Sequence, residues 1–383
     1  MDFEKVKSRL EELFDGKYEF IKFLGAGSFS DVFLVRHNIL DELMAIKIIK
    51  EPLGATFNVS SVFREVRLAI HLRHENIISI FDAGIISTYG DDFNQEMLDG
   101  VAKDDRAFFV MEYVAGGDLE QYLNSFIKSN LAMPISRVLN LMRQILSGLN
   151  TLHNANPPII HRDLKLNNIL LSYDHNGEIV IKISDFGFAK EVTTAISDFE
   201  IAGTRPYMAP ECFNKISTTR TDIYSVGVIF YQLLTNMYPY HVDEYDVEDL
   251  FELKPWQNGL KPPSQINDKV TPDLDDIVGK CLDANANNRY ADASEMLADI
   301  ELAIDKFKST QDVDAKSEYV DEYSEYIINN SLKEAFFLAK CENRLNDAIE
   351  ILENEVLDDY DIRKCYGETL QMWKSQRPDI KLV

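Results

Sequence analysis

The stretch HRDLKLNNILL, His161 to Leu171, sets an acid, a cation and an amide, Asp163, Lys165 and Asn168, just ahead of an apolar run. Alone, it is equally a charged turn leading into a strand. Phosphoryl transfer asks for more: charge neutralisation by a metal and a lysine, alignment of a nucleophile, and little covalent chemistry from the protein. The other pieces occur elsewhere, in chain order. LGAGSFSDV sets Gly25 and Gly27 in a strand-turn-strand context, where small residues let backbone N–H groups close over phosphates. By itself that pair is weak evidence and reads more readily as a simple hairpin turn. Lys47 interrupts the apolar AIKIIK, a position that needs an anion to justify it, and Glu65 in the next helical stretch is the partner that would orient it. Asp185 follows IVIKI and precedes Phe186–Gly187, a position suited to a carboxylate that holds magnesium, with Asn168 offering a second oxygen. Asp163 is left for the acceptor hydroxyl and Lys165 for the transferring phosphate.

Elements of two kinds must position these groups. YEFIKFLGAGSFSDVFLVRHN and ELMAIKIIK predict strands joined by tight turns. VSSVFREVRLAIHLRH switches to helical spacing, with Val62, Val66, Ala69 and Ile70 on one face. Strands return at NIISIFDAGII and RAFFVMEYV, separated by the polar, acidic STYGDDFNQEMLDGVAKDDR, expected to be a surface loop. From Asp118 onward three-to-four spacing dominates, in LEQYLNSFIKSN, PISRVLNLMRQILSGLNTLHNA, TDIYSVGVIFYQLLTN, TPDLDDIVGKCLD and YADASEMLADIELAIDKF, and KSTQDVDAKSE reads as a polar linker. The start, MDFEKVKSRLEELFDG, has no apolar core of signal-peptide type. Its Val6, Leu10, Leu13 and Phe14 predict a short amphipathic helix docked on the body.

As a set, these motifs resemble the eukaryotic-type (Hanks-type) serine/threonine protein kinases, most of all the bacterial members, from Tyr18 to Ala303. The resemblance implies an α+β, two-lobed fold with a small β-rich N-lobe and a large helical C-lobe, followed by an all-α C-terminal extension. Residues 1–17 would be the amphipathic helix, 18–308 the kinase domain (lobes 18–113 and 114–308) and 309–383 the extension. It also implies ATP and Mg2+ as cofactors, transfer of the γ-phosphate to serine or threonine hydroxyls of a protein substrate, and autophosphorylation of the activation segment. Carried over by position, Gly25, Gly27, Ser28 and Val32 belong to the nucleotide-covering loop, Ala45 to the adenine ceiling, and Lys47 with Glu65 to an ion pair. Met111 matches the gatekeeper, the backbones of Glu112 and Val114 the hinge, Asp118 the ribose contact, and Leu170 the lower wall of the adenine pocket. Asp163 matches the catalytic aspartate, Lys165 the phosphate-stabilising lysine, Asn168 and Asp185 the metal ligands, and Thr204 the floor for the acceptor residue. Glu211 is expected to pair with Arg289, Asp222 to brace the backbone around Asp163, and Arg162 to receive a phosphate carried by Thr193, Thr194 or Ser197. Departures are Ser30 for the third glycine, Leu166 and Asn167 after HRDLK, and Arg205 in GTRPYM. The alternative is a pseudokinase, a nucleotide-responsive scaffold acting through protein binding, which has no use for the complete set Lys47, Glu65, Asp163, Asn168 and Asp185.

Composition bounds the rest. The 383 residues, 45% hydrophobic and 27% charged, predict a globular chain of two or three units. A formal charge of -25 argues against a generic nucleic-acid binder, though ATP needs only a local positive pocket. Cys212, Cys281, Cys341 and Cys365 lie far apart without a CxxC pair and are expected as buried thiols. No window approaches the roughly eighteen apolar residues of a membrane span, so a cytoplasmic protein is expected. In the tail, Leu332, Ala335, Phe336 and Ala339, then Leu345, Ala348, Ile349 and Leu352, predict a helical hairpin. It is either one tetratricopeptide-type unit, lacking the tryptophan, glycine and proline of the stronger pattern, or a helical extension of no named family. It is expected to pack on the body, bind a protein partner or form a homodimer, with Tyr319, Tyr323 and Tyr326 on one helical face as the bridge.

Overall fold

The computed structural model describes residues 3–27, 30–50, 70–87, 105–174, 178–185, 205–214, 216–240 and 253–311, together with Asp249, Ile349 and Ile351. The described residues fall into two units, one drawn from Met1–His74 and Ile78–Tyr113, the other from Glu75–Ile77, Val114–Phe186 and Ser197–Val383. This is the expected protein-kinase-like division into a β-rich part and a helical part. Beyond Gln311 the expected all-α extension lies outside the described residues, apart from the buried Ile349 and the half-buried Ile351, both helical.

The first unit is an antiparallel sheet of β1 (Tyr18–Ala26), β2 (Ser30–His37), β3 (Glu42–Ile49), β4 (Ile80–Ser87) and β5 (Asp105–Glu112), in the order β1-β2-β3-β5-β4. Residues paired across strands share a face, and faces alternate along each strand. The pairs Val35↔Met44, Phe33↔Ile46 and Ile46↔Val110 therefore put one apolar set on one side. With Phe20 and Ile48 they form a core that α1 (Phe3–Leu13) covers. Leu10 and, just past the helix, Phe14 are buried there, and the Phe14 ring meets Tyr18, Phe20 and Phe108. Each contributes about 1.5–3 kcal/mol of burial. Glu11 Oε1 also accepts the Phe20 N–H at 3.1 Å. The docked helix is thus found, with the sheet as its target. The same register gives the opposite face Val32, Ala45, Lys47 and Met111.

Residues 59–69 of the expected helix around Glu65 lie outside the described residues, and 70–74, Ile70 included, are turn and coil rather than helix; the acidic stretch 88–104 also lies outside the described residues. The end of that loop differs from expectation, because Asp105 and Arg106 already pair in β5 with Ser87 and Ile86.

The second unit is built from α2 (Leu119–Lys128), α3 (Ile135–His153), the β6–β7 hairpin (Ile169–Tyr173 and Ile179–Ile183), α4 (Thr219–Thr235), α5 (Pro272–Cys281) and α6 (Ala293–Gln311). The Asp118 carboxylate caps α2 on Gln121 N–H at 2.8 Å, and α5 opens on proline, whose missing N–H costs nothing at that position. A reciprocal capping box of Thr218 and Thr221 starts α4, and Asn236 ends it with φ 60°. Every residue of α4 from Thr221 to Thr235 is buried, as its apolar sequence on all sides requires. α6 continues through Gln311, into the stretch read as linker.

Cys281 is buried, which holds its thiol protonated, while Cys212 is half-exposed in the short turn Pro210–Asn214, contrary to expectation. Cys341 and Cys365 lie outside the described residues. Among the described residues no helix is long and apolar enough to cross a membrane.

Candidate active site

Asp222, wholly buried in α4, organises the loop that carries Asp163. Its Oδ2 accepts the His161 N–H at 2.8 Å and lies 3.0 Å from His153 Nε2, and its Oδ1 accepts the Arg162 N–H at 2.9 Å. A buried carboxylate is tolerated only when so satisfied. The expected brace is present, and it holds Arg162 in the left-handed region at φ 65°, a conformation that costs a non-glycine residue about 1–3 kcal/mol.

His161 is fully buried beside it. Its Nε2–H donates to Ser184 O at 2.9 Å while Nδ1 accepts the Asp163 N–H at 3.3 Å, an arrangement that requires the neutral ring. Burial pushes its pKa below the ordinary histidine value, against the pull of Asp222 and Asp163.

On the Asp163 carboxylate, Oδ2 lies 3.0 Å from Asn168 Nδ2 and 3.2 Å from Lys165 Nζ. Asn168 Nδ2 also donates to Asp163 O at 2.7 Å, so the amide oxygen of Asn168 points away from that residue. The main-chain oxygen of Asn168 accepts both the N–H and the hydroxyl of Ser184, at 2.8 and 3.0 Å. Ser184 thereby ties the Asp163 loop to Asp185, which follows it at φ 58°.

The hairpin edge that delivers Asp185 is supported by side chains. Asn76 O accepts the Ile183 N–H at 2.9 Å, and Asn76 Nδ2 donates to Ile181 O at 3.1 Å. Gln144 on α3 accepts the Ile181 N–H at 3.0 Å and donates to Ile179 O at 2.9 Å. Backbone groups of a strand edge must find partners, and two amides supply them.

Asp118 and Leu170 form an isolated antiparallel bridge. Gly116 makes that approach feasible, since a Cβ there would sit 2.2 Å from Leu171 O. Desolvation raises the Asp118 pKa, opposed by its bond from Gln121 N–H. Val114 is half-buried at the start of this segment. Asn167 is exposed and donates to Glu120 Oε2 at 2.5 Å. The expected pair of Glu211 and Arg289 is bidentate, with Nη1–Oε1 at 2.8 Å and Nη2–Oε2 at 3.0 Å.

In the sheet unit, Gly25 pairs with Val32, and Gly27 N–H closes on Ser30 O at 2.8 Å. Lys50 Nζ donates to Gly27 O at 2.7 Å and sits 3.2 Å from Asp31. Lys47 is half-buried, opposite Val32 and Phe109, while Ala45 lies opposite Met111. Glu112 N–H bonds Ser79 O, and Ser79 N–H bonds Glu112 Oε1, both at 3.0 Å. Ser28, Glu65, Thr204, Thr193, Thr194 and Ser197 lie outside the described residues.

Sequence reasoning assigned no role to His161, Ser184, Asn76, Gln144 or Lys50. His161 and Ser184 had a usable signal, a polar residue between an apolar run and an acid. Asn76 and Gln144 had none, because their partners are backbone groups remote in sequence.

Comparison with known proteins supplies a family context. Residues 18–299 match the model of the protein kinase domain. The chain is 32% identical over 296 residues to the serine/threonine-protein kinase PrkC of Bacillus subtilis, covering 76% of this chain and 41% of that protein. It is 31% identical over 308 residues to the serine/threonine-protein kinase pkn3 of Myxococcus xanthus, covering 77% of this chain and 51% of the relative. To a probable serine/threonine-protein kinase, PknB, of Lactococcus lactis it is 28% identical over 297 residues, with 76% and 43% covered. The matched region thus spans about two fifths to one half of these relatives.

Proposed function

The chain belongs to the protein kinase domain family, and from that premise we propose that it is an ATP-dependent serine/threonine kinase acting on protein hydroxyls. The observation that carries this reading is the convergence of Lys165 Nζ and Asn168 Nδ2 on one oxygen of Asp163. It fixes the carboxylate of an acid already held by a strained, buried-anchored loop.

Bound ATP would supply the transferable phosphoryl group, and Mg2+ would neutralise the charge on its oxygens. Asp163 accepts the hydrogen bond of a serine or threonine hydroxyl and orients its oxygen for in-line attack. Lys165 keeps a positive charge beside that carboxylate. The Asn168 amide oxygen and the Asp185 carboxylate would hold the metal, a donor set that suits a hard cation. Lys47 would hold phosphate, with Glu65 as the partner the resemblance implies, and Val32, Ala45 and Met111 share its face of the sheet. The glycines also fit a nucleotide. A Cβ would meet nothing within 4 Å at Gly25 and only ordinary contacts, at 3.7 Å or more, at Gly27. Packing against the described residues therefore does not require glycine at either position, whereas a phosphate lying against the backbone would. Phosphate on Thr193, Thr194 or Ser197, added by the enzyme itself, would pair with Arg162 through charge-assisted hydrogen bonds.

Radiolabelled phosphate transfer to generic protein substrates and to the chain itself tests the proposal. Asp163→Asn and Lys47→Ala are expected to fold as the parent does and to reduce transfer by about 10²–10⁴-fold, with Asp163→Asn retaining nucleotide affinity. Absence of any incorporation that Asp163→Asn abolishes would hand the protein to the scaffold reading.

A further inference from the structure

We propose that the groove between the N-terminal half of α3 and the C-terminal half of α6 seats a segment of the same chain, Glu318–Tyr326. The two helices run antiparallel, because Ala293 N–H at the start of α6 bonds His153 Nδ1 at the end of α3, at 3.3 Å. Toward their other ends they leave a groove of about 390 Å³, floored by the half-buried Ile304 and Phe307, with Leu139 buried beneath, and walled by Arg143, Lys308 and Glu301.

Its two cations are available. The Arg143 guanidinium meets the neutral Asn140 Oδ1 at 3.1 Å, and Lys308 is exposed. The nearby start of α3 follows Pro134, with no side-chain cap and no acid in its first turn, so the positive end of the helix dipole adds to the same field.

The occupant follows from where α6 ends. Gln311 lies at the groove end of the helix pair, and the chain continues from there to Val383. The next stretch, DVDAKSEYVDEYSEY, carries Asp312, Asp314, Glu318, Asp321, Glu322 and Glu325 against one base, Lys316. Tyr319, Tyr323 and Tyr326 fall at helical spacing. Residues 312–317 can span at most about 20 Å, ample for a reversal of direction. Tyr319 to Tyr326 and Glu301 to Lys308 are equal steps in sequence, each about 10 Å long as helix. Running back along α6, the segment lays its rings over Ile304 and Phe307 and brings its carboxylates to Lys308 and Arg143. Tyr326 then lies toward Glu301, the one acid in the walls, and offers it a phenolic donor. Tyrosine suits such an open groove, since it joins apolar area to a hydroxyl that tolerates water. Exposed ion pairs contribute little, so the rings hold the segment and the charges choose its register. Tethering raises the effective concentration to the order of millimolar, so weak intrinsic affinity suffices.

Photocrosslinking in the full chain, with Tyr323 replaced by benzoylphenylalanine, tests this without reference to catalysis. The expected product has the mass of one chain and joins position 323 to peptides containing Leu139 or Ile304–Phe307. Its yield should fall about five-fold or more in Arg143→Glu/Lys308→Glu, two exposed positions, and recover in part when Glu318→Lys/Glu322→Lys is added. A product at twice the chain mass would make a second copy the occupant and overturn the proposal. So would single-chain links elsewhere, no product, or a yield indifferent to the charge reversals.

Discussion

His161 shows how a single side chain can couple the site to stability. Both ring nitrogens are engaged, one donating to Ser184 O and one accepting from Asp163 N–H, so a second ring proton would have to displace the latter. Burial places its folded pKa below the unfolded value of 6.5. As pH falls, the unfolded chain binds the proton first; the contribution of His161 is therefore full above about pH 6.5 and drains as the pH drops below it. The urea-unfolding free energy is expected to decline between pH 7 and pH 5, and His161→Leu, less stable at pH 7, should show a shallower decline. Equal slopes in the two proteins would mean that other groups carry the effect. The residues legible from spacing alone were those whose partners are local; the remote pairings of Asp222 with the Arg162 backbone and of Glu211 with Arg289 were expected only through the family resemblance. Asp163, Lys165 and Asn168 lie within one loop, and their mutual contacts follow from its spacing. Ser184, Asn76 and Gln144 escaped notice because each answers a distant backbone group, a requirement that exists only once the chain is folded.

Among elements, the helices were legible wherever an apolar stripe alternates with polar residues, as in α2 and α3, and also in α4, whose lack of a polar face matches its complete burial. The continuation of α6 to Gln311 was missed because Lys308–Gln311 is polar, and exposed helix ends need no apolar signal. Junctions between elements are where substitutions should be felt most. Arg289 is 3% exposed and bonds Glu211 twice, and its Nε and Nη2 also reach Asp283 O and Ala284 O at 2.7 and 3.3 Å. Arg289→Met leaves Glu211 without its cation and is expected to cost about 3–5 kcal/mol, part of which Glu211→Gln in the same chain should return. Purely additive losses in chemical denaturation would show that the pair is not coupled. Gly227 of α4 marks a second junction, since a Cβ there would lie 2.5 Å from Cys281 Cβ on α5. Gly227→Ala must therefore push the two helices apart, and a loss of about 1–3 kcal/mol is expected by the same measurement.

For the whole molecule, charge is the property that no single contact explains. Asp and Glu number 64 against 39 Lys and Arg, and folding concentrates that excess. Among the described residues some of these charges meet in close pairs, such as Lys17 with Asp82 at 3.3 Å, but exposed pairs of that kind contribute little. Two opposing effects of added salt can then be weighed. Screening weakens each exposed pair by a fraction of a kcal/mol, but it also relieves repulsion among all the unmatched acids, and at 0.1 M the screening length is already about 10 Å. With an excess of -25, relief should outweigh loss. Raising sodium chloride from about 10 mM to about 500 mM is accordingly expected to raise the thermal midpoint by about 3–6 °C, the equivalent of roughly 1–2 kcal/mol for units of this size. Chloride is the right anion for the measurement, because sulfate and phosphate strengthen apolar burial irrespective of charge. A midpoint that falls with sodium chloride would mean that the surface is organised into ion-pair networks strong enough to overcome the net repulsion.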